Sequence, residues 1–188
     1  MTGDILLLRH REICHARLMP IPVISIAQMR EWEAATWATG QTEAVRARLE
    51  RDLSGFVAPV FEQLSRDWIV RAGASGALPL PLRAVGRWWT RQAEIDVVAL
   101  GEEGALLGEC KWSTRPVGLG VLSTLRARSE LFRGETGMGP DEPLRLALFS
   151  KSGFTPDLLA EAEAEGVLLA TAEDVVAASA LTTPPTEK

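Results

Sequence analysis

The fold of this chain is decided by two neighbouring segments, EIDVVAL at residues 94–100 and LLGECKW at residues 106–112. Both are short and rich in aliphatic residues, and the turn sequence GEEG at 101–104 separates them. This pattern predicts two antiparallel strands joined by a hairpin. Each strand also carries charged residues where a buried strand ordinarily carries aliphatic ones, so the hairpin is the first place to look for a functional site.

The charges on this hairpin are arranged as a metal site requires. Side chains alternate along a strand, so Glu109 and Lys111 are expected on one face, as are Glu94 and Asp96 on the strand before. A buried carboxylate is usually paired, hydrogen-bonded or bound to a metal, because its burial alone is costly. Mg²⁺ prefers carboxylate oxygens and keeps waters that can serve in catalysis. Lys111 is then placed to hold or activate the attacking water.

Alternating strand and helix patterns along the rest of the core predict an α/β fold. Further strands are expected near 83–89, 144–149 and 167–170, with helices near 118–133, from Pro156 and after a capping box at 171–174. Strands that are joined through helices pair in parallel, with right-handed crossovers. Upstream, we expect a helix at 29–40, a second that ends near Gly55, and a third with Pro59 in its opening turn.

The spacing Asp96-x(12)-Glu109-x-Lys111 resembles the PD-(D/E)xK, or restriction-endonuclease-like, nuclease superfamily. Four segments in order extend the likeness to the C-terminal nuclease-like domain of prokaryotic DEXX-box P-loop ATPases. They are GRWW at 86–89, EIDVVAL at 94–100, GECKW at 108–112 and LFSKSGF at 148–154. This resemblance covers about residues 45–178 and implies a restriction-endonuclease-like mixed sheet flanked by helices.

The resemblance implies a Mg²⁺ or Mn²⁺ site in which Asp96 and Glu109 bind the metal. It also implies a metal contact from the Cys110 carbonyl and a fourth ligand, Glu62, on the first core helix; a solvated helix acid is the alternative for Glu62. Two features depart from the pattern. Ala93-Glu94-Ile95 replaces the proline that precedes the first acid, and no phosphate-loop motif occurs, since lysine stands only at 111, 151 and 188. We therefore expect no ATP hydrolysis by this chain.

The domain organisation that follows has three parts. Residues 1–42 are expected to form an N-terminal extension, either a linker or a dimer arm, residues 43–180 the nuclease-like domain, and residues 181–188 a disordered tail. No apolar run is long enough to span a bilayer, so a cytoplasmic protein without a membrane partner is expected. His10, Cys14 and His15 have a spacing that fits no zinc framework.

The charge distribution favours DNA as a partner although the net charge is −5. Residues 66–133 hold ten basic and seven acidic residues, and local charge dominates because salt screens distant charges. Seven arginines are candidate phosphate contacts, or else partners of nearby acids: Arg71, Arg83, Arg87, Arg91, Arg115, Arg126 and Arg128. For DNA contacts we select Arg87, Trp88, Arg91, Arg115 and Lys151. Within the tryptophan pair at 88 and 89, one ring is expected to be buried and the other to face the substrate.

Together these observations predict a Mg²⁺- or Mn²⁺-dependent deoxyribonuclease. Its catalytic residues would be Asp96, Glu109, Lys111 and Glu62. The alternative is a catalytically inactive nuclease-like module that binds DNA or protein, as a homodimer or docked to a separate ATPase. Intact acids and an intact lysine favour the enzyme.

Overall fold

The computed structural model describes residues 42–180, with side chains from 55 to 177. The elements are α1 (Thr42–Ala74), β1 (Leu82–Trp89), β2 (Glu94–Gly101), β3 (Ala105–Lys111), α2 (Leu119–Thr136), β4 (Leu144–Ser150), α3 (Pro156–Glu165), β5 (Leu168–Thr171) and α4 (Ala172–Ala180). The expected helix at 29–40, the residues His10, Cys14 and His15, and the tail at 181–188 lie outside this range. No helix within the described range is long and apolar enough to cross a membrane.

The five strands form one mixed sheet in the order β1-β2-β3-β4-β5. The pairs β1–β2 and β2–β3 are antiparallel, whereas β3–β4 and β4–β5 are parallel and are connected through α2 and α3. The expected hairpin turn joins β2 to β3. Its Gly104 has a φ of 131°, and a Cβ there would lie 2.2 Å from the carbonyl oxygen of Pro143. The predicted α/β class, with a mixed sheet flanked by helices, is confirmed.

Each face of the sheet buries its own apolar cluster. Helices α1 and α4 cover one face, where Phe61 and Ile69 pack on Val97, Phe149 and their neighbours. Helices α2 and α3 cover the other face, on which the buried leucines of the helices meet those of β3 and β4. A fully buried leucine or phenylalanine contributes about 1.5–3 kcal/mol. The two clusters therefore hold the strands rigidly enough to position polar groups at the sheet's end.

Helix α1 differs from the sequence-based expectation, because one helix runs where two are expected. Gly55 does not end a helix, and Pro59 lies inside the helix instead of in an opening turn. Pro59 lacks the amide hydrogen that would bond to the Gly55 carbonyl, which costs the helix one hydrogen bond. Phe61 and Ile69 beyond it are 2% and 0% exposed. Packing of this kind outweighs local helix preferences.

The second half of the domain follows the sequence closely. The capping box at the start of α4 is present, because Asp174 Oδ2 accepts hydrogen bonds from the amide and the hydroxyl of Thr171, both at 2.7 Å. The amide of Asp174 in turn donates to Thr171 Oγ1 at 3.3 Å. These bonds lower the pKa of Asp174. β5 therefore passes directly into α4 without a loop.

Candidate active site

The candidate site lies where β2 and β3 stop pairing. The last paired residues on this side are Val97 and Gly108. Asp96 and Glu109, the next residue on each strand, are both beyond the ladder. The Cys110 amide of β3 donates its hydrogen bond to the carboxylate of Asp96 and not to a backbone carbonyl of β2. Polar side chains thus occupy the unpaired end of the hairpin, which lies opposite its turn.

A β-bulge in β2 accompanies this opening. Between the residues that pair with Gly86 and Trp88, β2 has two residues where β1 has one. As a result Ile95 and Val97 pack on opposite faces of the sheet, although they are two residues apart. Bulges re-aim side chains in this way. Asp96 lies in the bulge, so the strict alternation expected along this strand does not hold here.

Asp96 is held from both sides. Its Oδ2 accepts a hydrogen bond of 2.8 Å from the Cys110 amide, and its carbonyl oxygen accepts one of 2.7 Å from Arg66 Nη1 on α1. Burial raises the pKa of Asp96 from its ordinary 3.8 to about 7, and the negative charge of Glu109 acts in the same direction. The bond from Cys110 opposes both. Asp96 is therefore a constrained acid whose charged form is costly.

Glu109 is only 4% exposed, and both of its oxygens are engaged. Lys111 Nζ donates to Oε1 at 2.6 Å, and Arg128 Nη1 on α2 donates to Oε2 at 2.6 Å. The expected common face of Glu109 and Lys111 is confirmed by this contact. Two charge-assisted bonds compensate the burial of the carboxylate.

Glu62 approaches the same region from α1 and is half-buried. Burial raises its pKa, Arg66 lowers it, and the charges of Glu94 and Glu109 raise it again. Arg66, four residues further along the helix, thus offsets the negative charge of Glu62 and also donates a hydrogen bond to the backbone of the bulge. The helix contributes one acid and one base to the edge of the site.

The donor set suits a hard divalent cation that is held by two carboxylates. Mg²⁺ is commonly bound by one or two carboxylates together with waters and substrate phosphates, and the mutual repulsion of Asp96 and Glu109 is what such an ion relieves. Among residues 55–177, no three or more His, Cys, Asp or Glu side chains are close enough together to hold a metal ion. Within this range, Glu62 therefore does not complete a three-acid cluster with Asp96 and Glu109.

A cavity of about 400 Å³ adjoins Glu109, between the end of β3 and the start of α2. Lys111 and Arg128 contribute its positive charge, Thr124 contributes a small polar side chain, and Gly118 and Gly120 line it with backbone alone. Because the buried Glu109 is paired with two cations, the cavity presents a net positive lining. An anionic group of modest size fits such a cavity.

The expectation that Trp88 contacts nucleic acid is wrong. Its side chain is 8% exposed, and its ring packs edge-on against Phe132 with centroids 5.6 Å apart. Its neighbour Trp89 is 48% exposed, so the expected split of the pair into a buried and an exposed ring is confirmed. The Arg87 guanidinium lies 5.0 Å from the centroid of the Trp89 ring and 3.8 Å from Glu94. The exposed ring available for stacking is therefore Trp89.

The remaining selected cations lie on the surface. Arg91, Arg115 and Lys151 are exposed, and Lys151 Nζ lies 5.1 Å from the centroid of the Trp112 ring. Trp112 itself packs on Phe61 of α1 at 5.2 Å between centroids. Several arginines instead pair with acids, as the alternative reading of the charge distribution expects: Arg83 with Glu102, Arg87 with Glu94, and Arg126 with Glu161 and Glu165.

Sequence reasoning misses two contacts at the site, the one from Arg66 to Asp96 and the one from Arg128 to Glu109. Arg66 follows Glu62 by one helical turn, a spacing that places an acid and a base side by side on a helix. Arg128 lies on the same face of α2 as Val121 and Thr124, at helical spacing beside the buried stripe. Sequence alone identifies Arg128 as a candidate phosphate contact, whereas its bond to Glu109 depends on how α2 packs on the sheet.

Part of this chain is similar in sequence to a known protein. An uncharacterized protein of Methanocaldococcus jannaschii, MJECL04, is 32% identical over 66 residues, which are 34% of this chain and 15% of that protein. The chain therefore matches only a small part of this relative's length.

Three solved structures are similar to part of this chain. A complex titled EndoMS-dsDNA2 is 20% identical with a TM-score of 0.35, covering 48% of this chain and 37% of the other. A repair endonuclease from Pyrococcus abyssi is 18% identical with a TM-score of 0.36, covering 49% and 40%. The protein of unknown function AF1548 is 15% identical with a TM-score of 0.41, covering 68% and 72%. Likenesses this distant carry no conclusion about this chain.

The family comparison covers the N-terminal part of the described domain and the candidate site. The model of the family DUF234, described as "Archaea bacterial proteins of unknown function", matches residues 31–126, just over half of the chain. The matched range includes Glu62, Asp96, Glu109 and Lys111 but ends before Arg128. This chain belongs to the DUF234 family.

Proposed function

We propose that this chain is a metal-dependent nuclease that hydrolyses phosphodiester bonds of DNA. The observation that carries the proposal is the pair of constrained acids at the open end of the hairpin, Asp96 and Glu109, with Lys111 beside them. Burial and mutual repulsion raise the pKa of Asp96 to about 7. A strongly perturbed acid beside a cation is typical of a functional site.

In this proposal Asp96 and Glu109 hold Mg²⁺ or Mn²⁺, and the Cys110 carbonyl adds a further oxygen. The bound ion would supply a water of lowered pKa and a positive charge at the reacting phosphate. Glu62 acts from outside this pair, as an acceptor for a water. Lys111, bonded to Glu109 Oε1 at 2.6 Å, orients the attacking water and offsets charge that develops on the phosphoryl oxygens.

DNA is expected to contact the exposed cations near this end of the sheet. Arg87, Arg91, Arg115 and Lys151 would bind backbone phosphates, which position the substrate without reading its sequence. Trp89 takes the stacking role first considered for Trp88, because an exposed ring can stack on an unpaired base for about 1–3 kcal/mol. The substrate would then lie across the ends of β1 to β4.

The decisive test is cleavage of single-stranded, double-stranded and branched DNA by the purified protein, with and without Mn²⁺. Cleavage should require the metal. It should fall by about a hundredfold or more in Asp96→Asn and in Lys111→Ala, because each variant removes a group that acts on the reacting atoms. Glu103→Gln, which changes an exposed acid in the hairpin turn, is the matched control and should cleave at the full rate. Unchanged cleavage by Asp96→Asn would contradict the proposal.

A second candidate is a catalytically inactive nuclease-like module that binds DNA or protein. It is favoured by the complete pairing of Glu109 with Lys111 and Arg128, which satisfies this carboxylate within the protein. Such a module would act in the cytoplasm as a homodimer or docked to a separate ATPase of the DEXX-box group. Tight DNA binding without cleavage of any of the three substrates, in Mg²⁺ or Mn²⁺, would favour this candidate.

A further inference from the structure

Both carboxylate oxygens of Glu109 are already in contact with a cation. Oε1 is bonded to Lys111 and Oε2 to Arg128, each at 2.6 Å, and the residue is 4% exposed. Each oxygen keeps a second lone pair, but a divalent cation that binds this buried carboxylate would lie against two positive side chains, so it competes with them electrostatically. The affinity of the site for metal consequently depends on how readily one cation gives way.

Arg128 is the better placed of the two cations to move. Lys111, whose side chain is 41% exposed, is on the same strand as Glu109 and acts on the attacking water in the proposed function, so it is expected to remain at the site. Arg128 reaches Glu109 from α2, and its side chain is 29% exposed beside the cavity of about 400 Å³. Gly120, in the lining of that cavity, has nothing within 4 Å of where a Cβ would lie. The cavity that Arg128 lines is thus open at Gly120.

The same cavity suits a phosphate group. A guanidinium has five N–H donors and binds phosphate in a bidentate manner, and one of its donors is used by Glu109 here. Lys111 and the Thr124 side chain also line the cavity, and the first turn of α2 contains no acid. A guanidinium that leaves Glu109 would therefore meet an anion without a competing carboxylate in that turn.

We infer that Arg128 is a positioning residue that competes with the divalent cation for Glu109 Oε2 and, once displaced, binds a backbone phosphate of DNA in the adjoining cavity. This inference rests on the proposed function. Its consequence is reciprocal coupling, because each ligand removes the same obstacle to the other. Metal releases Arg128 for the phosphate, and the phosphate draws Arg128 away from the metal ligand.

The test is calorimetric titration of the full chain with Mn²⁺ in the absence of DNA. Arg128→Gln should bind Mn²⁺ about fivefold or more tightly than the wild type, because the competing charge is gone. Arg126→Gln is the matched control. It changes an arginine on the same helix whose partners are Glu161 and Glu165, and it should leave the affinity for Mn²⁺ unchanged.

A second measurement needs only the wild type, so it holds even where Arg128→Gln fails to fold. A short phosphorothioate duplex that resists cleavage should tighten Mn²⁺ binding by the wild type. Equal or weaker Mn²⁺ binding by folded Arg128→Gln, or an affinity that the duplex does not change, would overturn the inference while metal-dependent cleavage still stands. Absence of Mn²⁺ binding by the wild type would overturn the metal-dependent function and the inference with it.

Discussion

The two halves of the β2–β3 hairpin have opposite characters. Next to the turn, Val98, Ala99 and Leu100 pair regularly with Leu107, Leu106 and Ala105, and most of these side chains are fully buried. At the other end the ladder stops, a bulge intervenes, and Asp96, Glu109 and Lys111 replace the aliphatic residues. One hairpin thus supplies both the rigid support and the polar groups that the support positions.

This contrast predicts that stability and chemistry can be changed separately. The apolar half gains free energy from burial, while the polar half holds charges whose burial costs free energy unless they are paired. A substitution in the first half should therefore destabilise the domain, whereas a conservative substitution in the second should spare the fold.

The largest change in stability is expected from Leu107→Ala in the apolar half. Leu107 is fully buried, so its truncation leaves a cavity and should lower the free energy of unfolding by about 2–5 kcal/mol. Leu159→Ala, at a leucine on α3 that is 48% exposed, is the matched control and should cost far less. Urea unfolding measures both values. Equal losses in the two variants would remove the assignment of stability to the hairpin's apolar half.

A smaller effect, of opposite sign, is expected from Asp96→Asn in the polar half. Because the folded-state pKa of Asp96 is raised from 3.8 to about 7, the folded protein binds a proton that the unfolded chain releases. The stability that this bound proton gives the wild type should fall as the pH rises from about 4 to about 7, with no further loss above pH 7. Asparagine does not titrate and can still accept the Cys110 hydrogen bond.

Denaturant unfolding across this pH range, with a chelator present, measures the difference between Asp96→Asn and the wild type. The variant should be the more stable protein above pH 7, by a few kcal/mol at most. Parallel stability profiles for the two proteins would show that Asp96 is not a constrained acid. The sharp contrast between the hairpin's two halves would then be lost.

The smallest effect is expected at the turn end of the sheet, from Arg83→Gln. Arg83 and Glu102 form an ion pair of 3.3 Å, with side chains that are 63% and 61% exposed. Solvent and salt screen such a pair, so its loss should cost less than about 1 kcal/mol. Thermal unfolding at low and high salt measures the change. A loss as large as that of Leu107→Ala would contradict the view that burial governs this half.

Sequence patterns were sufficient for the parts of the fold that depend on local chemistry. The GEEG turn, the strand alternation of β3 and the Thr171–Asp174 capping box involve neighbours in the chain, so their signals are local. The continuity of α1 through Gly55 and Pro59 depends on packing against the sheet. Local preferences at these two residues favour a break in the helix, so the sequence alone predicts two helices.

The candidate site shows the same division. The pairing of Lys111 with Glu109 follows from strand alternation, since the two residues are neighbours on one face. The bulge at Asp96 and the bond from Arg128 to Glu109 depend on register and on the placement of α2. The burial of Trp88 in preference to Trp89 also required the structure, because alternation shows that the two rings differ but not which one faces the core.

The bulge in β2 also bears on how such a site is lost. Deleting Asp96 would restore an ordinary two-residue period, since Ile95 and Val97 would become adjacent and still point to opposite faces. The strand would then have the right length to continue its ladder. A single codon deletion can thus remove Asp96 and restore the regular strand, so a chain with the same scaffold but without this proposed metal ligand lies one mutational step away.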